Sequence, residues 1–174
     1  DSTRPIHREL WLAMTEDERC AFLAGHRRAW EIHRSRLGPE MGRTVAGWVS
    51  DGHLELLAAA DASIEARADG LRLRTDAGEV LVHHILLATG PDESPASSPL
   101  LARLVPDGLA RPGSCDLGID VHPYDYRVRD AGGGEGRPLF ALGPIIRGSV
   151  WETIAVPEIR AQAARIAELV LAGG

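Results

Sequence analysis

Two short apolar runs that end in a Gly-Pro pair constrain the fold of this chain more than any other feature. They cover residues 85–91 (ILLATGP) and 138–144 (PLFALGP). Each has the length and composition of a buried strand, and each stops at a glycine, where no Cβ keeps a ligand from the backbone. In α/β proteins, dinucleotides bind at the carboxyl ends of such strands, beside the start of the following helix. The pair therefore predicts an α/β fold with a ligand-binding edge.

The composition restricts the classes of function. At 174 residues the chain has room for one domain with a substantial core, but not for two complete nucleotide-binding domains. Its net charge of −6 leaves no basic surplus for displacing counterions, which argues against a nucleic-acid partner. All 19 basic residues are arginines, so the sequence holds neither a Schiff-base lysine nor a P-loop lysine.

The sequence predicts a cytoplasmic protein without a membrane partner. No apolar run approaches the ~18 residues that cross a bilayer, and no signal sequence is recognisable. Cys20 and Cys115 lack the spacing of a redox dithiol or a zinc site, although the two can form one disulfide. Because the sequence opens at Asp1 rather than at Met, we expect it to be a piece of a longer protein.

Residues 1–52 are predicted to form a helical segment. Thr15 and Glu18 have the spacing of a capping box, which predicts a helix from about residue 16 to residue 37, where a Gly-Pro pair ends it. A further helix is expected over residues 39–50. The segment is thus expected to be helical throughout, with short breaks.

In residues 53–92 the apolar period changes from that of a helix to that of a strand. Three short segments with strand-like patterns are separated by the turn sequences ADG and DAG, which predicts an antiparallel β-meander. The predicted strands are 63–67, 71–75 and 79–83. The meander is expected to run into a buried strand over residues 85–88. Leu54, Leu56 and Ala58 also recur at every second position, as the apolar residues of a strand do.

Residues 93–174 are predicted to end in a strand–helix unit. The strand covers residues 138–142, and the helix begins at Pro157 because the residue before a proline avoids helical geometry. Upstream, a short helix over 100–105 and an extended stretch over 119–128 are expected. The glycine-rich stretch 132–136 precedes a strand rather than a helix, so it is a loop and not a dinucleotide fingerprint.

Several charged clusters have both a structural and a functional interpretation. The basic residues of the helix predicted over residues 16–37 are a solvated face in the first interpretation and an anion site, such as one for a ribose phosphate, in the second. They are His26, Arg27, Arg28, His33, Arg34 and Arg36. His83 and His84 point to opposite faces of a strand, so no metal site is predicted there. No residue is an obvious acid, base or nucleophile.

The Gly-Pro runs become more specific when their flanking residues are included. The diagnostic residues are 86–90 (LLATG), 141–144 (ALGP), Arg147-Gly148, Trp151-Glu152 and 155–160 (AVPEIR), with Leu10-Trp11, Arg19, Phe22-Leu23, Trp30, His33-Arg34 and Pro39 upstream. Over essentially its whole length, the chain resembles the C-terminal part of uncharacterised bacterial FAD/NAD(P)-binding proteins. Those proteins are relatives of two-dinucleotide-fold flavoproteins such as thioredoxin reductase and the lysine and ornithine N-hydroxylases.

The resemblance implies the C-terminal fragment of a FAD-dependent, NAD(P)H-using oxidoreductase. The fold would be a fragment of a two-dinucleotide-binding-domain flavoprotein. Residues 1–52 would be helical, residues 53–92 would hold the β-meander and crossover strand of the nicotinamide domain, and residues 93–174 would belong to the FAD domain. The implied cofactor-binding residues are Thr89, Gly90, Gly143, Pro144, Ser149, Trp151, Glu152 and Thr153.

The resemblance also implies what this chain lacks. Both glycine fingerprints that hold the cofactor phosphates would lie upstream of residue 1, so we expect the dinucleotides to bind mainly through that part and FAD to bind this chain weakly or not at all. Pro144 stands where thioredoxin-reductase-like enzymes have an aspartate. The fragment is expected to be inactive alone, and an oligomer is possible. The alternative is a non-catalytic interaction domain with a degenerate flavoprotein fold, its charged helices forming partner surfaces.

Overall fold

The fold is given by a computed structural model of the chain. It describes residues 6–57, 61–90, 92, 94–135 and 137–173. The chain divides into two compact units, an inserted unit over Glu31–Gly90 and a main unit made of Asp1–Trp30 with Pro91–Gly174. The described residues form six α-helices and one three-stranded antiparallel sheet, so the general prediction of a mixed α/β protein is confirmed.

The N-terminal segment is helical, as predicted. Its helices are α1 (His7–Ala13), α2 (Glu16–Gly25), α3 (Arg27–Arg34) and α4 (Pro39–Ser50). The capping box at the start of α2 is confirmed, because the Thr15 N–H donates to Glu18 Oε2 at 2.7 Å and the Glu18 N–H donates to Thr15 Oγ1 at 3.3 Å. No helix in the described part of the chain has both the length and the apolar character needed to cross a bilayer.

The single helix predicted over residues 16–37 is wrong, because the chain breaks at His26 and forms α2 and α3. Gly25 precedes the break, and glycine weakens a helix by about 1 kcal/mol relative to alanine. In an unbroken helix, residues 22 and 30 would be separated by roughly 12 Å along the axis. The rings of Phe22 and Trp30 instead lie with their centroids 6.2 Å apart, edge to face. The break therefore lets both rings join one cluster.

The β-meander is confirmed, with strands β1 (Ala62–Arg67), β2 (Gly70–Thr75) and β3 (Gly78–Val82) in that order. Directly opposite residues share a face of a sheet. Ile64 lies opposite Leu73, and Leu73 lies opposite Val80, so one face of the sheet is apolar. The other face is charged and carries ion pairs between arginines and glutamates.

The predicted strands at the two Gly-Pro runs are wrong. Residues 85–88 form no strand, and Leu86 and Leu87 are 92% and 73% exposed rather than buried. Residues 138–142 contribute one isolated bridge, from Phe140 to Arg127. Residues 54–57 form no strand, and residue 58 lies outside the described residues. A strand needs neighbours to satisfy its backbone, and none of the described strands pairs with these runs.

The main unit builds its core from loops and two helices, α5 (Leu101–Leu104) and α6 (Val156–Leu171). The extended stretch predicted over 119–128 contributes isolated antiparallel bridges rather than a sheet. The buried core residues are Leu101, Ala110, Ile119, Val121, Tyr126, Val128, Ile146 and Val150. Two loops approach so closely that a Cβ on Gly148 would lie 2.4 Å from the Leu117 carbonyl oxygen, which only glycine permits.

One disulfide, between Cys20 of α2 and Cys115, ties the main unit together across 95 residues of sequence. Cys115 lies in a tight turn over residues 113–118, which we call the cysteine turn. The two cysteines therefore form the single disulfide that the sequence allowed. In the described part of the chain, the only cluster of potential metal ligands is Glu16 with these two cysteines, whose sulfurs are bonded to each other.

Candidate functional site

Gly143, at the end of the second Gly-Pro run, is buried and has a φ of +77°, a conformation that glycine adopts most easily. Its N–H donates to Gln162 Oε1 at 2.8 Å, and its carbonyl accepts a hydrogen bond from Thr153 Oγ1 at 3.2 Å. Gln162 Nε2 donates to the same Thr153 hydroxyl. Both side chains are almost fully buried. The polar backbone of the glycine is thus satisfied inside the protein by α6 and the segment before it.

The neighbouring candidates differ in exposure and in partners. Pro144 is exposed and occupies the first turn of a short 3₁₀ helix over Gly143–Ile146. Ser149 is buried, and its hydroxyl donates to Asp120 Oδ1 at 2.8 Å while accepting from the Val121 N–H at 3.0 Å. Pro144 is thus available to a ligand, whereas the Ser149 hydroxyl is engaged in joining two loops.

Trp151 is the centre of an aromatic cluster that we define as Trp11, Phe22, Trp30 and Trp151. The rings of Trp151 and Trp11 stack with centroids 5.0 Å apart, and Phe22 meets Trp151 edge to face at 5.4 Å. The Arg147 guanidinium lies 4.3 Å from the centroid of Trp151, within cation–π range. The Trp11 indole N–H donates to the Gly148 carbonyl at 2.9 Å. The cluster thus joins α1, α2 and α3 to the segment that follows Gly143.

The indole N–H of Trp151 has an unusual environment. The residue is 5% exposed, and its N–H is fully buried with no acceptor among the described residues. The Trp11 N–H beside it is paired, so the difference is specific to Trp151. Buried donors in proteins almost always have a partner, so an orphan donor requires an explanation, such as a bound water, an ion or a ligand.

Glu152 has the other unusual geometry at this site. Its φ is +61°, although it is not a glycine. Residues in this region are uncommon and concentrate at functional sites, where the surrounding structure holds the strain. The Glu152 carboxylate accepts a hydrogen bond from the Trp30 indole N–H. This contact turns the side chain toward the aromatic cluster.

Two cavities of about 280 Å³ each adjoin Trp151, and both are formed within the main unit. The aromatic cavity is lined by His7, Leu10, Trp11, Met14, Phe22, Trp30 and Trp151. The polar cavity is lined by His7, Arg8, Glu9, Val150, Trp151, Glu152, Glu158, Ala161 and Gln162. Of these described residues, His7 and Trp151 border both. A predominantly apolar cavity and a polar cavity therefore share one wall.

Thr89 and Gly90, the remaining candidates, belong to the inserted unit. Both are exposed, and Gly90 has a φ of +87° with no atom within 4 Å of where a Cβ would stand. Their role in cofactor binding stays a prediction. The structure therefore brings together Gly143, Ser149, Trp151, Glu152 and Thr153, with Pro144 at the edge, inside the main unit.

His7 and Gln162 belong to this site but were not among the residues that the sequence indicated. Gln162 had a signal, because it lies on the apolar stripe of α6 between Ile159 and Ile166, where a polar residue is out of place. His7 had none, since nothing in its neighbours marks it as 94% buried. The basic residues of α2, α3 and their junction keep both interpretations given above.

The chain was compared with protein-family models, with curated proteins and with solved structures, and none of them matches it. The resemblance to flavoproteins therefore stays a prediction from the residues quoted for it.

Proposed function

We propose that this chain is the C-terminal part of a cytoplasmic, FAD-dependent oxidoreductase that uses NAD(P)H, and that it supplies the wall of the flavin-ring site. The observation that carries the proposal is the aromatic cavity, which is bordered by a tryptophan whose buried N–H lacks an acceptor among the described residues. The family resemblance points to the same segment, because Trp151 and Glu152 are among its cofactor-binding residues.

The cavity has the properties that a flavin ring requires. The ring system is flat and largely apolar on its faces, and it has carbonyl and nitrogen acceptors along one edge. Aromatic side chains bind such faces by offset or edge contacts, and an indole N–H is a donor suited to an edge acceptor. Ligand pockets span about 300–1,000 Å³. A volume of about 280 Å³ therefore suits a ring system rather than a complete dinucleotide.

The same residues offer little to the phosphates of a dinucleotide. The Gly143 N–H already donates to Gln162, and no glycine fingerprint precedes a helix in the sequence. In the proposal, the phosphates are therefore held by parts of the protein other than this site. The proposal that the aromatic cavity fits a flavin therefore concerns only the ring system of the cofactor.

In the proposed enzyme the flavin and the nicotinamide supply hydride-transfer chemistry when bound. The residues of this chain position the ring and control its surroundings. Trp151 and Phe22 exclude water from the ring face, and in the proposal the Trp151 N–H, which is buried in this structure, donates to an acceptor at the ring edge after a small movement of the indole. His7 borders both cavities, so its imidazole forms part of the wall that they share.

Two measurements test the proposal. The full-length protein should purify with flavin absorbance and oxidise NAD(P)H. A colourless protein that takes up no added FAD would refute the proposal that it is a flavin-dependent enzyme. The 174-residue chain should bind riboflavin and FAD with similar, weak affinity, since it contacts the ring and not the phosphates. Much tighter binding of FAD than of riboflavin by this chain would show that it does hold the phosphates.

One observation favours the alternative of an interaction domain. In the inserted unit, Ile64 and Val80 on the apolar face of the sheet are 49% and 45% exposed, and Leu86 and Leu87 are exposed further along the chain. Exposed apolar patches mark interaction surfaces when they are contiguous. An interaction domain needs no flavin, so flavin uptake by the full-length protein distinguishes the two proposals.

A further inference from the structure

We propose that the Cys20–Cys115 disulfide is a redox-responsive link that decides whether α2 stays packed against the aromatic cluster. The inference concerns the protein's own covalent state and does not depend on the flavin proposal. It would make the shape of the aromatic cavity depend on the thiol–disulfide balance around the protein.

The disulfide is the strongest attachment of α2 to the rest of the main unit. None of the residues of α2 is buried. Apart from the bond and the Phe22 and Leu23 packing, α2 meets the cysteine turn through polar contacts. Glu16 accepts hydrogen bonds from Ser114 Oγ at 2.9 Å and from the Cys115 N–H at 3.1 Å, and Arg19 Nη1 donates to the same hydroxyl at 3.1 Å. The Glu16 contacts are exposed and the Arg19 contact is only partly buried, so each contributes little to stability.

The cysteine turn holds backbone strain that reduction can release. Cys115 and Asp116 have φ values of +56° and +58°, and neither is a glycine. Two consecutive left-handed residues persist only where the surrounding structure enforces them. The covalent bond and the Glu16 hydrogen bond tie Cys115 to α2, while backbone hydrogen bonds from the Asp116 N–H to the Gly113 carbonyl and from the Leu117 N–H to the Ser114 carbonyl close the turn itself. When the bond is reduced, the turn can relax to a less strained backbone conformation, and α2 is no longer covalently attached to it.

A change at the disulfide reaches the aromatic cavity through two short routes. On one side of the bond, α2 carries Phe22, whose ring contacts Trp11 and Trp151 and lines the cavity. On the other side, the Leu117 carbonyl accepts a hydrogen bond from the Gly148 N–H at 3.1 Å. Leu117 also packs in the same buried cluster as Trp11 and Trp151. On the α2 side, Phe22 lines the aromatic cavity, and on the other side Leu117, two residues after Cys115, belongs to the same cluster as two tryptophans that line it.

The chemistry is thiol–disulfide exchange with a dithiol reductant. A thiolate of the reductant attacks one protein sulfur, the S–S bond breaks, and the second reductant thiol resolves the mixed disulfide. Two electrons and two protons pass to the protein, which ends with two thiols, while the reductant becomes a disulfide. Both protein cysteines are partly exposed, so a reductant has access to the bond.

Hydrogen exchange of the backbone amides tests the proposal, in the oxidised chain and after reduction with dithiothreitol. We expect the amides of α2 to exchange about tenfold faster after reduction, with those of α6 changing less than about twofold. Tryptophan emission should shift to the red as Phe22 leaves the indole rings. Equal exchange rates of the α2 amides in both states would overturn the proposal. Equal acceleration of exchange in α2 and α6 would also overturn it, because the bond would then stabilise the main unit as a whole rather than α2.

The variants Cys20→Ser and Cys115→Ser provide the matched control. Each should show the fast exchange of α2 without any reductant, and dithiothreitol should change neither. If either variant keeps the slow exchange of the oxidised chain, the bond does not hold α2 and the proposal fails. Two free thiols in the mass spectrum of air-oxidised protein would overturn it as well.

Discussion

At the scale of single residues, the site combines satisfied and unsatisfied polar groups in the same small volume. The backbone of Gly143 is fully engaged by Gln162 and Thr153, whereas the indole N–H of Trp151 has no acceptor among the described residues. Gly143 is therefore a conformational requirement. A Gly143→Val substitution would disturb the backbone through its positive φ, so loss of ligand in that variant does not identify a contact.

A Trp151→Phe substitution tests the role of the orphan N–H. It keeps a six-membered aromatic ring and removes the N–H with the rest of the five-membered ring, and we expect the affinity of the full-length protein for FAD to fall about fivefold, which corresponds to about 1 kcal/mol for one hydrogen bond. The free energy of unfolding without ligand should also fall, because the smaller ring leaves a gap in a buried cluster, so the affinity for FAD is the measurement that reports on the N–H.

Trp48→Phe is the matched control, since Trp48 lies in α4 and is 49% exposed. It should leave both the affinity for FAD and the stability unchanged. If Trp151→Phe leaves the affinity for FAD untouched, the N–H does not bind the flavin.

At the scale of secondary-structure elements, the capping box of α2 makes the stability of that helix depend on pH. The hydrogen bond from the Thr15 backbone N–H, with a second from its hydroxyl, lowers the pKa of the Glu18 carboxyl below its ordinary value of 4.5. A carboxyl whose pKa is lower in the folded state stabilises that state above its unfolded pKa and loses this effect as the pH falls through the folded one. We therefore expect the cap to weaken as the pH falls through 4.5 and below it.

The comparison of Glu18→Gln with the parent chain measures this dependence. Urea unfolding over that pH range should show a loss of stability in the parent chain that is smaller in the variant. Glu40→Gln is the control, because Glu40 occupies the first turn of α4, where no side chain caps the helix. An equal effect of the two substitutions would mean that the general helix dipole, rather than the cap, is responsible.

Elements that depend on local signals were predictable from the sequence, and those that depend on distant partners were not. The bounds of α4 and the three strands followed from a Gly-Pro start, a periodic pattern and two turn sequences. The apolar runs at 85–88 and 138–142 have strand composition, but composition does not provide a neighbouring strand.

The same distinction applies to the candidate site. The segment from Gly143 to Thr153 was indicated by its glycine and by the family resemblance, and in the structure its residues Val150, Trp151 and Glu152 line the two cavities. The place of His7 beside Trp151 and the pairing of Cys20 with Cys115 come from contacts across more than a hundred and nearly a hundred residues of chain, which no local pattern encodes. Gln162 bonds to residues only 19 and 9 positions away, and its polar side chain on an apolar stripe was the signal. The role of each candidate in binding a cofactor stays a prediction.

At the scale of the whole molecule, the inserted unit lies within the loop of sequence that the disulfide closes. Cys20 precedes Glu31–Gly90 in the chain and Cys115 follows it. Brief proteolysis should cut the exposed, irregular stretch over residues 83–90 first. On a denaturing gel without reductant the nicked chain should migrate as one species, and with reductant it should give two fragments. Two fragments in both lanes would show that the disulfide does not form in solution.

The position of this bond also determines how the chain bears a mechanical load. A force that pulls the two ends apart travels through α2, crosses the sulfur bridge to the cysteine turn, and continues to α6. The bonded cysteines are 95 positions apart, and the segment between them carries no tension while the bond is closed. Its fully extended length is roughly 330 Å. Reduction lets the force reach this segment, which then lengthens as it unfolds, so a single covalent bond determines whether the inserted unit is exposed to force.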